Sequence, residues 1–569
     1  MKSAFDLHPE KRIPGYPAYC GWKEILSRLA PPEGSRYVIT AEFYPQVNRE
    51  EIVRALSKLG GTLFDAEECA IPDDAYLKRI SPFLTDDRVF GVMNTLRLED
   101  VFLREKIAEL QEQIRNTDGL VIVYGTGASL VTRGDSLLYF DMPRWEIQKR
   151  FRRGMTNWKS HNPQEDRLRK FKQGYFVEWR MADRRKKELL PRIDWYLDTC
   201  VEDAPRMISG EALRAGLAVF SREPFRLVPY YAPEVWGGQW LKETCGLDPE
   251  AENYAWAFDG VPEENSIYIR FGDVRVELPA INVVLFAARK LLGDRVQARF
   301  GDEFPIRFDF LDTMGGQNLS LQVHPTTEYI QDRFGMHYTQ DESYYIMAAS
   351  DDSVVYLGLK EGIRPEEMVR DLERAQETGE PFPAEQYVNA FPVRKHDHCL
   401  IPAGTVHCSG KNTVVLEISA TPYIFTFKLW DWNRLGLDGR PRPVHIGHGK
   451  HTIDWNRTTG WVRENLLNRV SIIEKNDAGT VERTGLHPRE FIETRRYTLS
   501  GEITIEADDS VSMCNIVEGE GAVITSPEDL FPPFTVHYAE TFIIPGSIQR
   551  FSIRPLDRRC VLLRATVKN

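Results

Sequence analysis

Two patterns of apolar and polar residues divide the chain. In the first 220 residues, short apolar runs at 36–41, 120–124 and 137–141 predict buried strands, and residues 98–115 predict a long amphipathic helix. Strands that alternate with helices predict a parallel α/β sheet. From residue 225 onward, short alternating strands and turns predict an all-β fold, interrupted by one predicted helix at about 364–377.

The segment 318–325 carries the most specific polar pattern, with the sequence Asn-Leu-Ser-Leu-Gln-Val-His-Pro. Side chains of a strand alternate between its two faces, so Ser320, Gln322 and His324 share one face, while Leu321 and Val323 share the other. A Gln and a His two residues apart, backed by apolar side chains, suit a metal site inside a β-barrel.

Two later segments supply what such a site lacks. Glu342 lies within 339–345, and His407 ends the turn Ile-Pro-Ala-Gly-Thr-Val-His at 401–407. With Gln322 and His324 they form a set of two imidazoles, one carboxylate and one amide oxygen. Such a set suits zinc and leaves a coordination position open for water or substrate. We therefore predict one Zn²⁺ per chain at these four residues.

The region from about residue 224 to the C-terminus resembles the type I mannose-6-phosphate isomerases, which are zinc-dependent cupins. The matching segments follow the order of that family and lie at 231–240, 304–312, 319–325, 339–345, 401–407, 415–418 and 427–434. The resemblance implies a double cupin jelly roll with a helical insertion and the four zinc ligands above. It also implies an aldose–ketose isomerase that acts through an enediol on a sugar or sugar phosphate.

The resemblance further implies catalytic residues. Glu417, in the segment Val-Leu-Glu-Ile, matches the proton-transfer position, and Lys428 stands where the family carries an arginine. Ser320 shares the face of the ligands and is expected to contact the sugar.

Two departures from the family concern the substrate. Asp309 and Gln340 stand where the isomerases usually carry lysines that face a phosphorylated sugar, and Arg307 shares a strand face with Asp309. Because phosphate binds best to Arg and Lys, these replacements leave the substrate open. We expect mannose 6-phosphate, a related sugar phosphate, or a neutral or differently substituted sugar. A non-catalytic zinc cupin that senses carbohydrate is the alternative from another class.

These observations predict three domains, at 1–222, 223–494 with a helical insertion at about 362–380, and 495–569. The order of elements in the first domain resembles a P-loop nucleoside kinase of the uridine-kinase sort. The loop that would hold phosphate, at 42–48, contains no Gly, Lys, Ser or Thr, so its backbone cannot wrap a phosphate. We therefore expect a degenerate, catalytically silent kinase-like domain.

Composition narrows the class of protein. A net charge of −12 argues against a general nucleic-acid or anionic-membrane binder. The sequence contains no apolar run of membrane-spanning length and no signal-peptide core. Its eight cysteines form no Cys-x-x-Cys pair, which predicts free thiols and a cytoplasmic protein. The oligomeric state remains open.

One segment departs from the acidic average. Residues 144–187 contain fifteen basic and five acidic residues, a net charge of +10. This segment is expected to bind a phosphorylated ligand or RNA, to dock on the acidic remainder of the chain, or to form solvated helix faces.

Overall fold

The computed structural model describes residues 3–31, 36–420, 423, 425–488 and 490–568. Contacts divide the chain into two compact units. The α/β unit comprises Glu10–Ser221 and Glu263–Ala287, and the β unit comprises Met1–Pro9, Arg222–Pro262 and Ala288–Asn569. The three-domain division at 222/223 and 494/495 stays a prediction.

Seven strands form the main sheet of the α/β unit, in the spatial order Ala18–Cys20, Arg206–Ser209, Trp195–Asp198, Ser136–Asp141, Tyr37–Phe43, Leu120–Gly125 and Thr62–Asp65. The last five strands in this order are parallel, whereas Arg206–Ser209 pairs antiparallel with both of its neighbours. The three predicted apolar runs lie next to one another at the centre. The prediction of a parallel α/β sheet is confirmed.

Helices and a small sheet complete this unit. Strands Glu10–Arg12, Ser266–Phe271 and Val274–Pro279 form the small sheet. The helices are Trp22–Leu29, Arg49–Leu56, Asp73–Leu84, Arg104–Arg115, Ala128–Val131, Arg144–Arg152, Arg167–Gln173, Trp179–Leu189 and Gly210–Phe220, and Ile281–Leu292 continues into the β unit.

The predicted helix at 98–115 is wrong in its first turns. A 3-10 turn, Leu98–Val101, precedes a helix that begins only at Arg104. Phe102 is extended and pairs with Ala70, and the Leu103 N–H donates to the Cys69 carbonyl at 2.8 Å. A contact that is distant in sequence therefore interrupts a pattern that is helical locally.

Basic side chains of the segment 144–187 form hydrogen bonds and ion pairs inside the α/β unit. Arg144 is 2% exposed and contacts the carboxylates of Asp183 and Glu263. Lys186 donates to Asp141 Oδ1 at 2.9 Å, and Lys170 donates to the carbonyls of residues 155 and 163. These side chains stabilise the unit, so the net charge of the segment overstates the positive charge that a ligand could contact.

A buried carboxylate occupies the turn after the Leu120–Gly125 strand. Glu42 Oε1 accepts the Gly127 N–H at 2.8 Å, and Glu42 Oε2 accepts the Ser129 N–H at 2.7 Å. Burial raises the pKa of Glu42, while these N–H groups act in the opposite direction. The N–H groups that a phosphate could use at this Gly-x-Gly turn are thus already bonded.

The β unit contains two antiparallel two-sheet sandwiches. We call the first of them the first barrel. One of its sheets has the order His398–Ile401, Asp341–Ala349, Thr413–Ala420, Arg307–Asp312, Trp256–Gly260 and Tyr230–Ala232, and the other has Val388–Pro392, Val354–Leu359, His407–Ser409, Leu321–Val323 and Phe427–Trp430. The prediction of short strands for this region is confirmed, whereas the expectation of a single helical interruption is wrong, because several further helices connect the strands.

The second barrel contributes its own apolar core. Its sheets have the orders Ser471–Asn476, Gly479–Arg483, Ile492–Leu499, Cys560–Val567, Ser512–Glu518 and Thr541–Ile544, and Ile503–Glu506, Arg550–Pro555, Gly521–Thr525 and Phe534–His537. Leu499, Ile516, Ile524, Phe542 and Leu562 are among its buried core residues. Because these side chains come from both sheets, the core joins the two layers.

Helices of the β unit connect the strands. They are Trp240–Cys245, Asp294–Phe300, Thr327–Phe334, Pro365–Thr378, Ala384–Tyr387, Ile446–Gly449 and Thr459–Asn465. Pro365–Thr378 lies within the helical insertion expected at about 362–380. In the described part of the chain, none of the helices has the length and apolarity needed to cross a membrane.

Arg144 offers a test of the buried charges in the α/β unit. The change Arg144→Met would remove the nearest cation from the carboxylates of Asp183 and Glu263 and leave them with the more distant Arg180, at 3.8 and 3.4 Å. We expect a loss of up to about 3–5 kcal/mol in stability. Native-state hydrogen exchange of the Leu120–Gly125 strand measures this loss. The control Arg167→Met changes an exposed side chain of the same unit and should cost less than about 0.5 kcal/mol. Equal protection in the two variants would contradict the assignment.

Candidate metal centre

Side chains from both sheets of the first barrel meet at one buried centre. Gln322 pairs with His407 between neighbouring strands of one sheet, and Glu342 comes from the other sheet. His324 Nε2 lies 3.0 Å from Glu342 Oε2, and His407 Nε2 lies 2.9 Å from Glu342 Oε1. One nitrogen or oxygen of each of His324, Glu342 and His407 lies within 4.8 Å of the other two. The structure therefore brings the predicted imidazole and carboxylate ligands together.

Backbone carbonyls fix the orientation of both imidazoles. His324 Nδ1 lies 2.8 Å from the Phe425 carbonyl, and His407 Nδ1 lies 2.9 Å from the Thr405 carbonyl. A carbonyl only accepts hydrogen bonds, so each Nδ1 carries the proton. The lone pair of each Nε2 then faces the centre, which is the arrangement of metal-binding histidines.

The charge balance of the centre fits a cation. Burial raises the pKa of Glu342, but positive charge on the imidazoles, His324 first, holds it well below its ordinary value, so the carboxylate is stabilised only when a positive charge occupies the centre. His324 Nε2 and Glu342 Oε1 are buried without a hydrogen-bond partner. Acceptor atoms about 3 Å apart repel unless a proton or a metal ion lies between them. One divalent ion would satisfy both imidazoles and the carboxylate at once.

Gln322 adds an amide to the same centre. Its Nε2 lies 3.2 Å from His407 Nε2. Rotation of the amide by half a turn exchanges its nitrogen and oxygen without moving the backbone. With the oxygen on the side of His407, Gln322 would supply the fourth ligand of the predicted set.

Glu417 and Gln340 stand beside the centre. Gln340 Nε2 donates to Glu342 Oε2 at 3.0 Å and lies 3.5 Å from Glu417 Oε1, while its own oxygen accepts the Phe425 N–H at 2.8 Å. Burial, then Glu342 and Asp309, raise the pKa of Glu417 well above its ordinary value. Gln340, expected to contact substrate, is buried and joins the two carboxylates.

Asp309 and Arg307 form an ion pair with each other. Asp309 faces Glu417 across neighbouring strands, and Arg307 Nε donates to Asp309 Oδ1 at 3.0 Å. Both side chains are buried. The negative charge at position 309, which the sequence suggested would repel a phosphate, is thus offset within its own strand.

A second charged cluster includes Ser320. Ser320 Oγ donates to Asp431 Oδ1 at 2.6 Å, and Arg442 Nη1 donates to Ser320 Oγ at 3.2 Å and to Asp431 Oδ1 at 3.0 Å. Arg442 also lies 3.4 Å from Glu234. Sequence reasoning missed Arg442, and its only signal was the Arg-Pro-Arg-Pro run at 440–443 that precedes Val444-His445.

Lys428 links this cluster to the metal centre. It pairs with Gln322 between the strands Leu321–Val323 and Phe427–Trp430. Burial, followed by the charge of Arg442, lowers the pKa of Lys428 to about 8. Lys428 and Arg442 thus influence each other electrostatically, and Arg442 adds a cation that the sequence analysis did not identify.

Comparisons with known proteins cover both parts of the chain. A family model described as a domain of unknown function (DUF8485) matches residues 21–222. The Bacillus subtilis protein YvyI, provisionally named a mannose-6-phosphate isomerase, is 22% identical over 339 residues, which cover 59% of this chain and 96% of that protein. Mannose-6-phosphate isomerase ManA of Bacillus subtilis is 23% identical over 316 residues, covering 54% and 90%.

A solved structure of mannose 6-phosphate isomerase from Bacillus subtilis covers 60% of this chain and 99% of its own, at 19% identity and a TM-score of 0.49. The chain is similar to aldose–ketose isomerases of the mannose-6-phosphate isomerase type, as the sequence predicted. The kinase-like fold of the first 222 residues stays a prediction.

His324 offers a test of the metal centre. We expect His324→Ala to lower zinc affinity by more than the roughly 10–100-fold that follows loss of a supporting residue, because a ligand itself is removed. His398→Ala is the matched control, since His398 is equally buried but bonds Ser343 Oγ at 2.8 Å. Metal analysis after dialysis reports occupancy. Full zinc in the His324 variant, or its loss in both variants, would contradict the site.

Proposed function

We propose that the chain is a zinc-dependent aldose–ketose isomerase that converts mannose 6-phosphate to fructose 6-phosphate or acts on a related sugar phosphate. The observation that carries this proposal is the buried set of His324, Glu342 and His407, with Glu417 close beside it. The similarity to proteins named mannose-6-phosphate isomerases supports the reaction class.

Aldose–ketose isomerisation moves a proton between adjacent carbons. It needs a base that reaches both carbons, stabilisation of charge on the oxygen, and exclusion of water. When bound, zinc would polarise or orient the sugar oxygens as a Lewis acid. Gln322, His324, Glu342 and His407 would hold it.

The chain's own residues supply the proton transfer. We assign to Glu417 the transfer of a proton from C2 of the aldose to C1, through an enediol, with the hydroxyl proton of O2 moving to O1. Gln340 keeps the Glu417 carboxyl next to Glu342. Lys428, opposite Gln322, supplies a positive charge for the developing enediolate.

The charged cluster favours a phosphorylated substrate. The cluster keeps a net positive charge, because three cations, Lys428, Arg434 and Arg442, stand against two carboxylates, Asp431 and Glu234. Ser320 adds a hydroxyl. Planar guanidinium groups suit phosphate, because they donate two parallel hydrogen bonds. Since Arg307 offsets Asp309, the argument for a neutral or differently substituted sugar loses its main support.

For the α/β unit we propose a kinase-like fold without nucleotide chemistry. The loop 42–48 lacks the residues that bind phosphate, and Glu42 already bonds the Gly127 and Ser129 N–H groups. ATP turnover by the purified full chain would contradict this assignment.

Glu417 offers the test of isomerase activity. In deuterated water, the wild-type protein should incorporate deuterium at C1 or C2 of mannose 6-phosphate. Proton NMR of the sugar measures this incorporation. Glu417→Gln should slow exchange by about 10²–10⁴-fold, because the proton-transfer group is removed, with zinc retained. The control Glu520→Gln, at an exposed position of the second barrel, should match wild type. Zinc binding without exchange on any sugar phosphate would favour a non-catalytic carbohydrate sensor instead.

Arg442 offers the test of substrate charge. Arg442→Gln should lower kcat/KM for mannose 6-phosphate by about 10–100-fold, because a charge-assisted hydrogen bond is lost, and should change the use of free mannose much less. The control Arg440→Gln removes an exposed charge two residues away. Steady-state kinetics on both sugars give the comparison. Equal losses of kcat/KM on both sugars would show that Arg442 does not bind the phosphate of the substrate.

A further inference from the structure

The α/β unit contains a cavity of about 410 Å³, whereas the metal centre belongs to the β unit. Its lining includes Arg133, Arg185, Arg192, Asp135 and Asp194. Leu137 and Leu189 contribute apolar surface. A volume of this size is within the range of small-molecule sites, about 300–1,000 Å³.

Arg133 lies on a turn that is tied to the central strand of the sheet. Asp135 Oδ2 accepts the Val38 N–H at 2.7 Å, and the Asp135 N–H donates to the Val38 carbonyl at 2.7 Å. Gly134 has φ +62°, and a Cβ there would lie 2.6 Å from Thr40 Oγ1. The backbone of this turn therefore packs directly on the strand and presents Arg133 from a fixed position.

Arg192 is presented in a similar way. Two residues later, Asp194 Oδ2 accepts the Leu137 N–H at 2.8 Å, and the Asp194 N–H donates to the Leu137 carbonyl at 3.0 Å. The Ile193 carbonyl accepts a hydrogen bond from Arg214 Nη1 at 3.0 Å. Asp135 and Asp194 thus each accept a strand N–H group with one carboxylate oxygen. The other oxygen of each carboxylate can accept a hydrogen bond from a ligand.

The three arginines differ in their partners. Arg185 donates to Ser129 Oγ at 2.9 Å and to Glu188 Oε2 at 3.0 Å, so a carboxylate already offsets its charge. Arg133 and Arg192 are exposed, and among the described residues none forms a hydrogen bond or ion pair with either side chain. These two cations contrast with the paired arginines of the basic segment 144–187.

The chemistry of the lining defines a ligand class. Two guanidinium groups without internal partners suit a phosphate, while the remaining carboxylate oxygens of Asp135 and Asp194 accept hydrogen bonds from hydroxyl groups. We propose that this cavity binds a small phosphorylated polyol, with its phosphate on Arg133 and Arg192 and its hydroxyls on the two aspartates. The proposal does not depend on the isomerase assignment.

Hydrogen–deuterium exchange of the full chain tests the proposal, because it reports each segment separately from the metal centre. Glycerol 3-phosphate should protect segments 129–137 and 185–195 saturably and bind more tightly than inorganic phosphate, which lacks hydroxyls. The double variant Arg133→Gln/Arg192→Gln should weaken this binding by at least about ten-fold. Arg167→Gln/Arg169→Gln removes two exposed charges from the same unit, outside the cavity lining, and should bind like wild type.

Several outcomes would overturn the proposal. They are the absence of protection in these two segments, equal binding by the Arg133/Arg192 variant, and equal weakening by the Arg167/Arg169 variant. Inorganic phosphate that binds as tightly as glycerol 3-phosphate would remove the aspartates from the site and would contradict a polyol ligand. Thermal unfolding of both double variants confirms that they are folded when binding is measured.

Discussion

The site in the first barrel depends on a buried carboxylate that lies between two imidazole rings. Glu342 is fully buried, and a carboxylate in such a place costs several kcal/mol unless a cation compensates it. The Nδ1 atoms of His324 and His407 are already committed to backbone carbonyls, so both Nε2 atoms face Glu342. Because these residues come from opposite sheets, the ion that resolves their repulsion would also join the two layers. In the proposed isomerase, catalytic chemistry and barrel stability would therefore depend on the same cation.

Charged side chains around this centre act on the pKa of Glu417. Glu417 lies opposite Asp309 and near Glu342, and the two carboxylates add to the effect of burial in raising its pKa. Arg307 opposes this effect and pairs with Asp309. Strongly shifted carboxyl groups that lie next to a metal-type ligand set are typical of functional sites. The first barrel thus places Glu417, a group that can exchange a proton, next to the residues that would bind the metal.

Local patterns account for what the sequence predicted correctly. The two-residue period of a strand put Gln322 and His324 on one face, and a Pro/Gly turn aimed His407 inward. Sequence could not predict Arg442, because its approach to Ser320 depends on the path of a loop. Nor could it predict that the helix at 98–115 breaks, since Phe102 pairs with a residue about thirty positions away. The misses arise where contacts distant in sequence override local periodicity.

Net charge along a segment is a weaker guide to ligands than the pairing of individual side chains. The segment 144–187 has a net charge of +10, yet Arg144 and Lys186 are bonded to buried carboxylates. Arg133 and Arg192 lie outside that segment and lack such partners among the described residues. A cation that the protein itself neutralises contributes to stability, whereas one held over a cavity by a rigid turn keeps its capacity to bind an anion. By the same criterion Arg307 contributes to stability, because Asp309 neutralises it.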